Sequence, residues 1–251
     1  MTLADIQAAW PAIRAVVHHT PVATSAGISH RVGGGDIVLK CENLQRIGSF
    51  KIRSAYHRLS LLTPGESARG VAAISAGNHA QGVALAGRTF EEAAIACAAF
   101  VAETDSVFIS PYDDDGIITG QGTLGLELLE DLPDVETVLV PIGGGSLFAG
   151  VVTALKETNP HIRLVGVQSE GADAAVQSFQ AGHLMPRHAP LRTICDGIAI
   201  KSPSPRTFGY IQKYADDVVA VPDGAVSAAC CCCWSGPSWS SSRAARRAWP
   251  P

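Results

Sequence analysis

Three short stretches of the chain carry residue types that could do chemistry together. The first is Glu42-Asn43-Leu44-Gln45-Arg46-Ile47-Gly48-Ser49-Phe50-Lys51, which follows a strand-like run and opens a helix. Lys51 falls just inside that helix start, between apolar Phe50 and Ile52. Desolvation and the positive end of the helix dipole both disfavour an ammonium there, so Lys51 is a candidate amine nucleophile toward a carbonyl. A lysine snorkelling to the surface reads the same from position alone. A Ser49–Lys51 dyad is disfavoured, because residues two apart on a helix do not face each other.

The second stretch is Ser75-Ala76-Gly77-Asn78-His79-Ala80-Gln81-Gly82, a strand end running into a helix. Free N–H groups at a helix start suit a carboxylate or phosphate. Gly77 permits close approach, and Asn78 offers both a donor and an acceptor. An ordinary Asn-capped helix is the plainer reading. The third stretch is Val140-Pro141-Ile142-Gly143-Gly144-Gly145-Ser146-Leu147. Consecutive glycines cost entropy and pack nothing, so Gly143, Gly144 and Gly145 fit a loop whose N–H groups wrap a phosphate. An amine for an aldehyde, an asparagine-bearing turn and a phosphate cradle, each at a strand C-terminus, are the parts that pyridoxal 5'-phosphate requires.

Other patterns carry less. A G-x-G-x-x-G at Gly120, Gly122 and Gly125 is fed by no strand and is not read as a dinucleotide fingerprint. There is no H-E-x-x-H, no G-x-S-x-G and no metal-ligand spacing of Cys and His, so no metal is expected. Asp113, Asp114 and Asp115 read as a solvated turn and helix cap. Cys41, Cys97 and Cys195 read as reduced residues, whereas the block Cys230 to Cys233 fits no zinc pattern.

These stretches need a frame to position them. Strand-like runs at 37–41, 71–75, 107–110, 137–142, 164–168 and 217–221 alternate with amphipathic segments near 52–62, 78–88, 90–103, 118–131, 145–157 and 172–181. Such alternation predicts an α/β fold of βαβ units around mostly parallel sheets. The 251 residues allow one large domain or two small ones, with 47% hydrophobic and 17% charged residues as in packed globular proteins. A net charge of −4 without a basic stripe argues against nucleic acid as a partner. No apolar run approaches a membrane span, and the N-terminus lacks the pattern of a signal peptide, which leads us to expect a cytoplasmic protein with no membrane partner.

The stretches CENLQRIGSFKIRSAY, SAGNHAQGVALA, PYDDDGIITGQGTLGLELLEDLPDVETVLVPIGGGSLFAGV and DGIAIKSPSPRTF resemble signatures of the serine/threonine dehydratase (ammonia-lyase) family, over residues 5 to 229. These are fold-type II pyridoxal phosphate enzymes, tryptophan synthase β-like, with two α/β domains. The resemblance implies that Lys51 binds the cofactor as a Schiff base, with Phe50 beside it. Asn78 then bonds the ring oxygen, and Gly143, Gly144, Gly145, Ser146 and Leu147 hold the phosphate. Ser75, Ala76, Gly77, Asn78 and His79 would bind the carboxylate of a small amino-acid substrate. The implied reaction is β-elimination of L-threonine or L-serine to a 2-oxo acid and ammonia. Racemases of the family carry a second serine where Ala76 stands, so Ala76 favours the dehydratase. The alternatives are a catalytically inactive cofactor-binding remnant and a serine racemase-like enzyme. Intact members imply a homodimer.

The chain departs from the family in four places. Ser146 replaces a usual glycine. Gln168 stands where the family's divalent-cation site, around Val167 to Asp173, has an acidic ligand. Between Gly87 and Phe90 about one β-α-β unit is missing, which leaves two helices in succession and should expose apolar faces. From about residue 230 the sequence reads as a frameshift product. If Ala229 is encoded GCC, the cysteines TGC and Trp234 to Arg243 TGG AGC GGG CCA AGC TGG TCG TCG AGC CGG, reading one base earlier gives LLLLLERAKLVVEP, a helix of the kind the family has there. The later strand that contacts the pyridine nitrogen would be lost with it. The expected organisation is a large cofactor domain (1–45 and 111–229), an incomplete small domain (46–110) and a non-native tail (230–251).

Overall fold

The computed structural model describes residues 1–24, 26–33, 35–74, 90–187 and 189–235. The chain opens with helix α1 (Leu3–Arg14), started by a capping box in which Thr2 and Asp5 satisfy each other's backbone N–H. Its inner face buries Ile6, Ala9 and Ile13. Strands β1 (Val22–Thr24) and β2 (Val38–Lys40) pair antiparallel, Val22 opposite Lys40, with α2 (Ala26–Arg31) between them. Helix α3 (Lys51–Ser60) follows after a short 3-10 turn at Glu42–Leu44.

Helix α4 (Pro64–Arg69) is capped by Thr63 with Glu66, with Pro64 in its first turn. Then come β3 (Val71–Ala73), α5 (Phe90–Thr104) and β4 (Val107–Ile109), and the two strands lie parallel with Ala72 opposite Phe108. Val71, Phe108, Ile95 and Phe100 of this unit are exposed despite being apolar. Helix α6 (Asp115–Asp131) leads into a parallel sheet of order β5-β6-β7, made of Thr137–Pro141, Arg163–Ser169 and Asp217–Val221. Helices α7 (Ser146–Thr158), α8 (Ala174–Ala181) and α9 (Pro205–Tyr214) connect these strands, and α10 (Asp223–Ser235) ends the described chain.

The main core gathers Val140, Ile142, Phe148, Leu155, Leu164 and Ile211 between this sheet and its helices. Every strand-like run of the sequence is a strand here, because β-branched runs fit the half-buried pleat. The run at 71–75 is described only as far as Ala73 in extended pairing. Helix α10 continues six residues past Ala229, through the cysteine block, with Cys230 and Cys231 exposed. Asp114 caps α6 by accepting from the Ile117 N–H at 3.0 Å and also pairs with Arg58. The aspartate run is therefore a helix cap.

The three glycines of the G-x-G-x-x-G pattern lie inside α6, where they set helix spacing. A Cβ on Gly120 would sit 2.6 Å from the Cα of Ser54 on α3, and one on Gly125 would sit 2.7 Å from the Cβ of Ala154 on α7. Close backbone approach is their use. Behind the α3–α6 contact lies a buried ionic group. Arg53 is fully buried and pairs with Glu42 and with Glu127. Lys40 pairs with Glu127 at 2.6 Å and Asp131 at 2.7 Å.

Candidate active site

Lys51 is the first residue of α3, and Phe50 is its N-cap. The helix start is held from behind. Ser54 Oγ donates to the Lys51 carbonyl at 3.0 Å and accepts from Gln121 Nε2 at 2.9 Å. The Lys51 ammonium is partly buried, and that burial pushes its pKa down, while the negative charge of Asp196 pulls partly the other way. The amine is therefore free of its proton at lower pH than an exposed lysine would be.

The second wall is the turn from β5 into α7. Ile142 ends the strand by donating to the Val167 carbonyl, and Gly143 to Gly145 then cross to the helix. Gly145 is the N-cap of α7 at φ +96°, a left-handed conformation that an L side chain rarely adopts. No side chain fits on this loop. A Cβ would meet Ile198 Cα at 3.0 Å from Gly143, the ring of Tyr112 at 2.2 Å from Gly144, and Thr207 Cβ at 2.8 Å from Gly145. Ser146 and Leu147 form the buried first turn of α7.

A cavity of about 290 Å³ brings these walls together. Phe50 and Lys51 line one side of it, and Gly143, Gly144, Gly145, Ser146 and Leu147 another. Ala73 and Ile74 reach it from the end of β3. Ser75, Ala76, Gly77, Asn78 and His79 follow directly in sequence and lie outside the described residues. Tyr112 and Asp196 also line the cavity, and neither stands out in the sequence. Asp196 opens the stretch DGIAIK, and Tyr112 sits between β4 and the cap of α6. The signal for both was their place at an element end within the quoted signatures.

The stretch Val167 to Asp173 is used for packing. Gln168 is buried, its carbonyl accepts from the N–H groups of Ala175 and Val176, and its amide donates to the Ile142 carbonyl. Asp173 pairs with Arg187. Elsewhere, His19, Glu127 and Asp131 cluster closely enough for a metal, and the Lys40 ammonium reaches both carboxylates.

The residues present fit pyridoxal phosphate. The donor set has an amine whose charged form is disfavoured, facing backbone N–H groups that a helix start leaves without carbonyl partners. The glycine loop is a cradle that any Cβ would spoil. The buried Ser49 Oγ, also on the cavity wall, has no hydrogen-bond partner among the described residues.

A profile of the family described as "pyridoxal-phosphate dependent enzyme" matches residues 13–91 and 87–235. An L-threonine ammonia-lyase of Thermotoga maritima is 42% identical over 255 aligned positions, which take in 88% of this chain and 63% of the relative. The chain therefore spans less than two thirds of that relative's length. The catabolic L-threonine dehydratase of Escherichia coli strain K12 is 40% identical over 74% of this chain and 67% of its own. Among solved structures, a threonine deaminase from T.th. superposes with a TM-score of 0.82 at 36% identity, covering 95% of this chain and 86% of that one. Maize serine racemase does so with a TM-score of 0.88 at 32% identity, covering 94% and 83%. The fold is that of the type II enzymes, and the chain belongs to the family of pyridoxal-phosphate dependent enzymes.

Proposed function

We propose that this chain is built for β-elimination of L-threonine or L-serine, giving a 2-oxo acid and ammonia. The observation that carries the reading is one cavity holding both the amine of Lys51 and the N-terminus of α7 with its glycine loop. The identities to an L-threonine ammonia-lyase and an L-threonine dehydratase support the substrate class. Bound pyridoxal phosphate would supply an electron sink for the charge left at the α-carbon. Lys51 Nζ would hold the cofactor through its aldehyde and, once freed, would act as the base that takes the α-proton. The N–H groups of Gly143, Gly144, Gly145, Ser146 and Leu147 would hold its phosphate, with Phe50 beside them on the cavity wall. Asn78 would bond the ring oxygen, and Ser75 to His79 would hold the carboxylate. The β-hydroxyl would depart as water, the proton balance met by the one Lys51 took from the α-carbon, and one water would re-enter when ammonia is released.

The expected division into a large domain (1–45 and 111–229), a reduced small domain (46–110) and a tail (230–251) belongs to the same reading, with α3 of the 46–110 span tied to the large domain through Arg53. A missing β-α-β unit is supported by the meeting of the two family matches at 87–91 and by the exposed apolar residues of β3, β4 and α5. No helix among the described residues is long and apolar enough to cross a membrane. A homodimer and a cytoplasmic location complete the proposal.

The structural likeness to maize serine racemase favours a second reading, racemisation at the same cavity. Ala76 speaks against it, since it offers no hydroxyl as a base on the opposite ring face. The test is to load the full chain with pyridoxal phosphate, reduce with borohydride and map the label, then assay threonine for 2-oxobutanoate and serine for its D-form. Label on Lys51 with keto acid formed is the expected result. Label without keto acid means a cofactor-binding remnant, D-serine means the racemase, and label absent from Lys51 overturns the site.

A further inference from the structure

We infer that Thr207 is a positioning residue that aims the glycine loop at the cofactor's phosphate. The inference rests on the pyridoxal phosphate reading of the cavity. Thr207 lies in the first turn of α9, is fully buried and is not on the cavity wall. Its Oγ1 donates to the Gly144 carbonyl at 2.8 Å across 63 residues of sequence. The same oxygen accepts from the Ser204 N–H at 3.1 Å, within the capping box that starts α9. Gly144 offers the hydroxyl hydrogen its nearest acceptor, ahead of the Ser204 carbonyl at 3.3 Å, while the lone pair serves the cap.

The geometry gives that bond a directional effect. In a planar trans peptide the C=O and the following N–H point opposite ways. Holding the Gly144 carbonyl against α9 turns the Gly145 N–H away from α9, to the side on which the cavity lies. Gly145 permits this only at its positive φ, and Thr207 fills the space where its side chain would be. Released from Thr207, the same peptide could rotate and present a carbonyl oxygen to the phosphate, exchanging a donor for a repelling acceptor. The start of α9 is pinned from outside as well, through Arg206 to Asp113 and Asp115, the turn that carries Tyr112 against Gly144.

A residue that orients N–H groups toward phosphate should matter only for ligands that carry phosphate. The test is equilibrium binding of pyridoxal phosphate and of pyridoxal to the full chain freed of cofactor, for wild type, Thr207→Val, Thr207→Ser and Thr207→Cys. Thr207→Val should weaken pyridoxal phosphate about tenfold or more while changing pyridoxal by less than about twofold. Thr207→Ser keeps the hydroxyl and should keep the wild-type ratio of the two affinities. If Thr207→Val does not fold, Thr207→Cys, with its weaker donor, must prefer pyridoxal phosphate less than Thr207→Ser does. A ratio unchanged in Thr207→Val or Thr207→Cys, or both ligands weakened equally, overturns the inference and leaves the cavity assignment standing. Failure of wild type to bind pyridoxal phosphate overturns both.

Discussion

Arg53 grips Glu42 with two parallel bonds, Nε to Oε2 at 2.9 Å and Nη2 to Oε1 at 2.8 Å, without any exposure of the guanidinium. Burial alone would lower the guanidinium pKa, but the bonds and charge of Glu42, with Glu127 adding to them, more than offset it and raise that pKa. Arg53→Leu would leave the Glu42 carboxylate buried without its cation and Glu127 with Lys40 alone. The expected loss is about 3–5 kcal/mol in urea unfolding. A loss below about 1 kcal/mol would show that the pair is replaceable.

Lys51 titrates below the usual lysine value of 10.5 because burial disfavours its charge, against the pull of Asp196. A group whose folded pKa lies below its unfolded one costs stability while it is charged, and that cost fades as pH rises from the folded value to 10.5. Lys51→Met should therefore raise the melting temperature of the cofactor-free protein at neutral pH. The gain should shrink as pH approaches 10.5, and a gain that does not change with pH would refute it.

At Gly144 the ring of Tyr112 occupies the place of a side chain. Gly144→Ala should cost about 1–3 kcal/mol by overpacking and weaken pyridoxal phosphate binding. Adding Tyr112→Ala should return part of the stability, since the clash is with that ring. Additive losses in the double variant would place the strain in the backbone instead.

Asp131 sits partly buried, which alone would raise its pKa, but hydrogen bonds from Lys40 and His19 hold it below the ordinary 3.8. Its stabilisation is present above pH 3.8 and is lost as pH falls through the folded value. Asp131→Asn should be less stable than wild type at neutral pH, with the gap closing in acid. Chemical denaturation across that range measures it.

Much of this arrangement is legible in the sequence where the cause is local. The run TVLVPI becomes β5 because β-branched residues there feed straight into glycines that cannot continue a strand. Lys51 and the loop at Gly143 share a cavity because each leads into a helix, α3 or α7, that packs on α6. Helix α9 is legible too, in Ser204-Pro205 followed by Thr207, a cap and a first-turn proline that the reading of strands passed over. What sequence does not show is contact between distant elements. Nothing near Thr207 points to Gly144, and nothing in G-x-G-x-x-G says that α3 and α7 lean on α6. The turn at Ser75 to His79 lies outside the described residues.

The charge lock between α3 and the β2–α6 scaffold has a kinematic consequence. With Arg53 bound to Glu42 and Glu127, and the Ser54 backbone pressed on Gly120, the Cα of Lys51 is a fixed pivot. A shift of the β3–β4 sheet would leave that pivot in place. The amine then travels only by torsion of its own four methylenes, so the accuracy with which it meets a carbon is a question of rotamers.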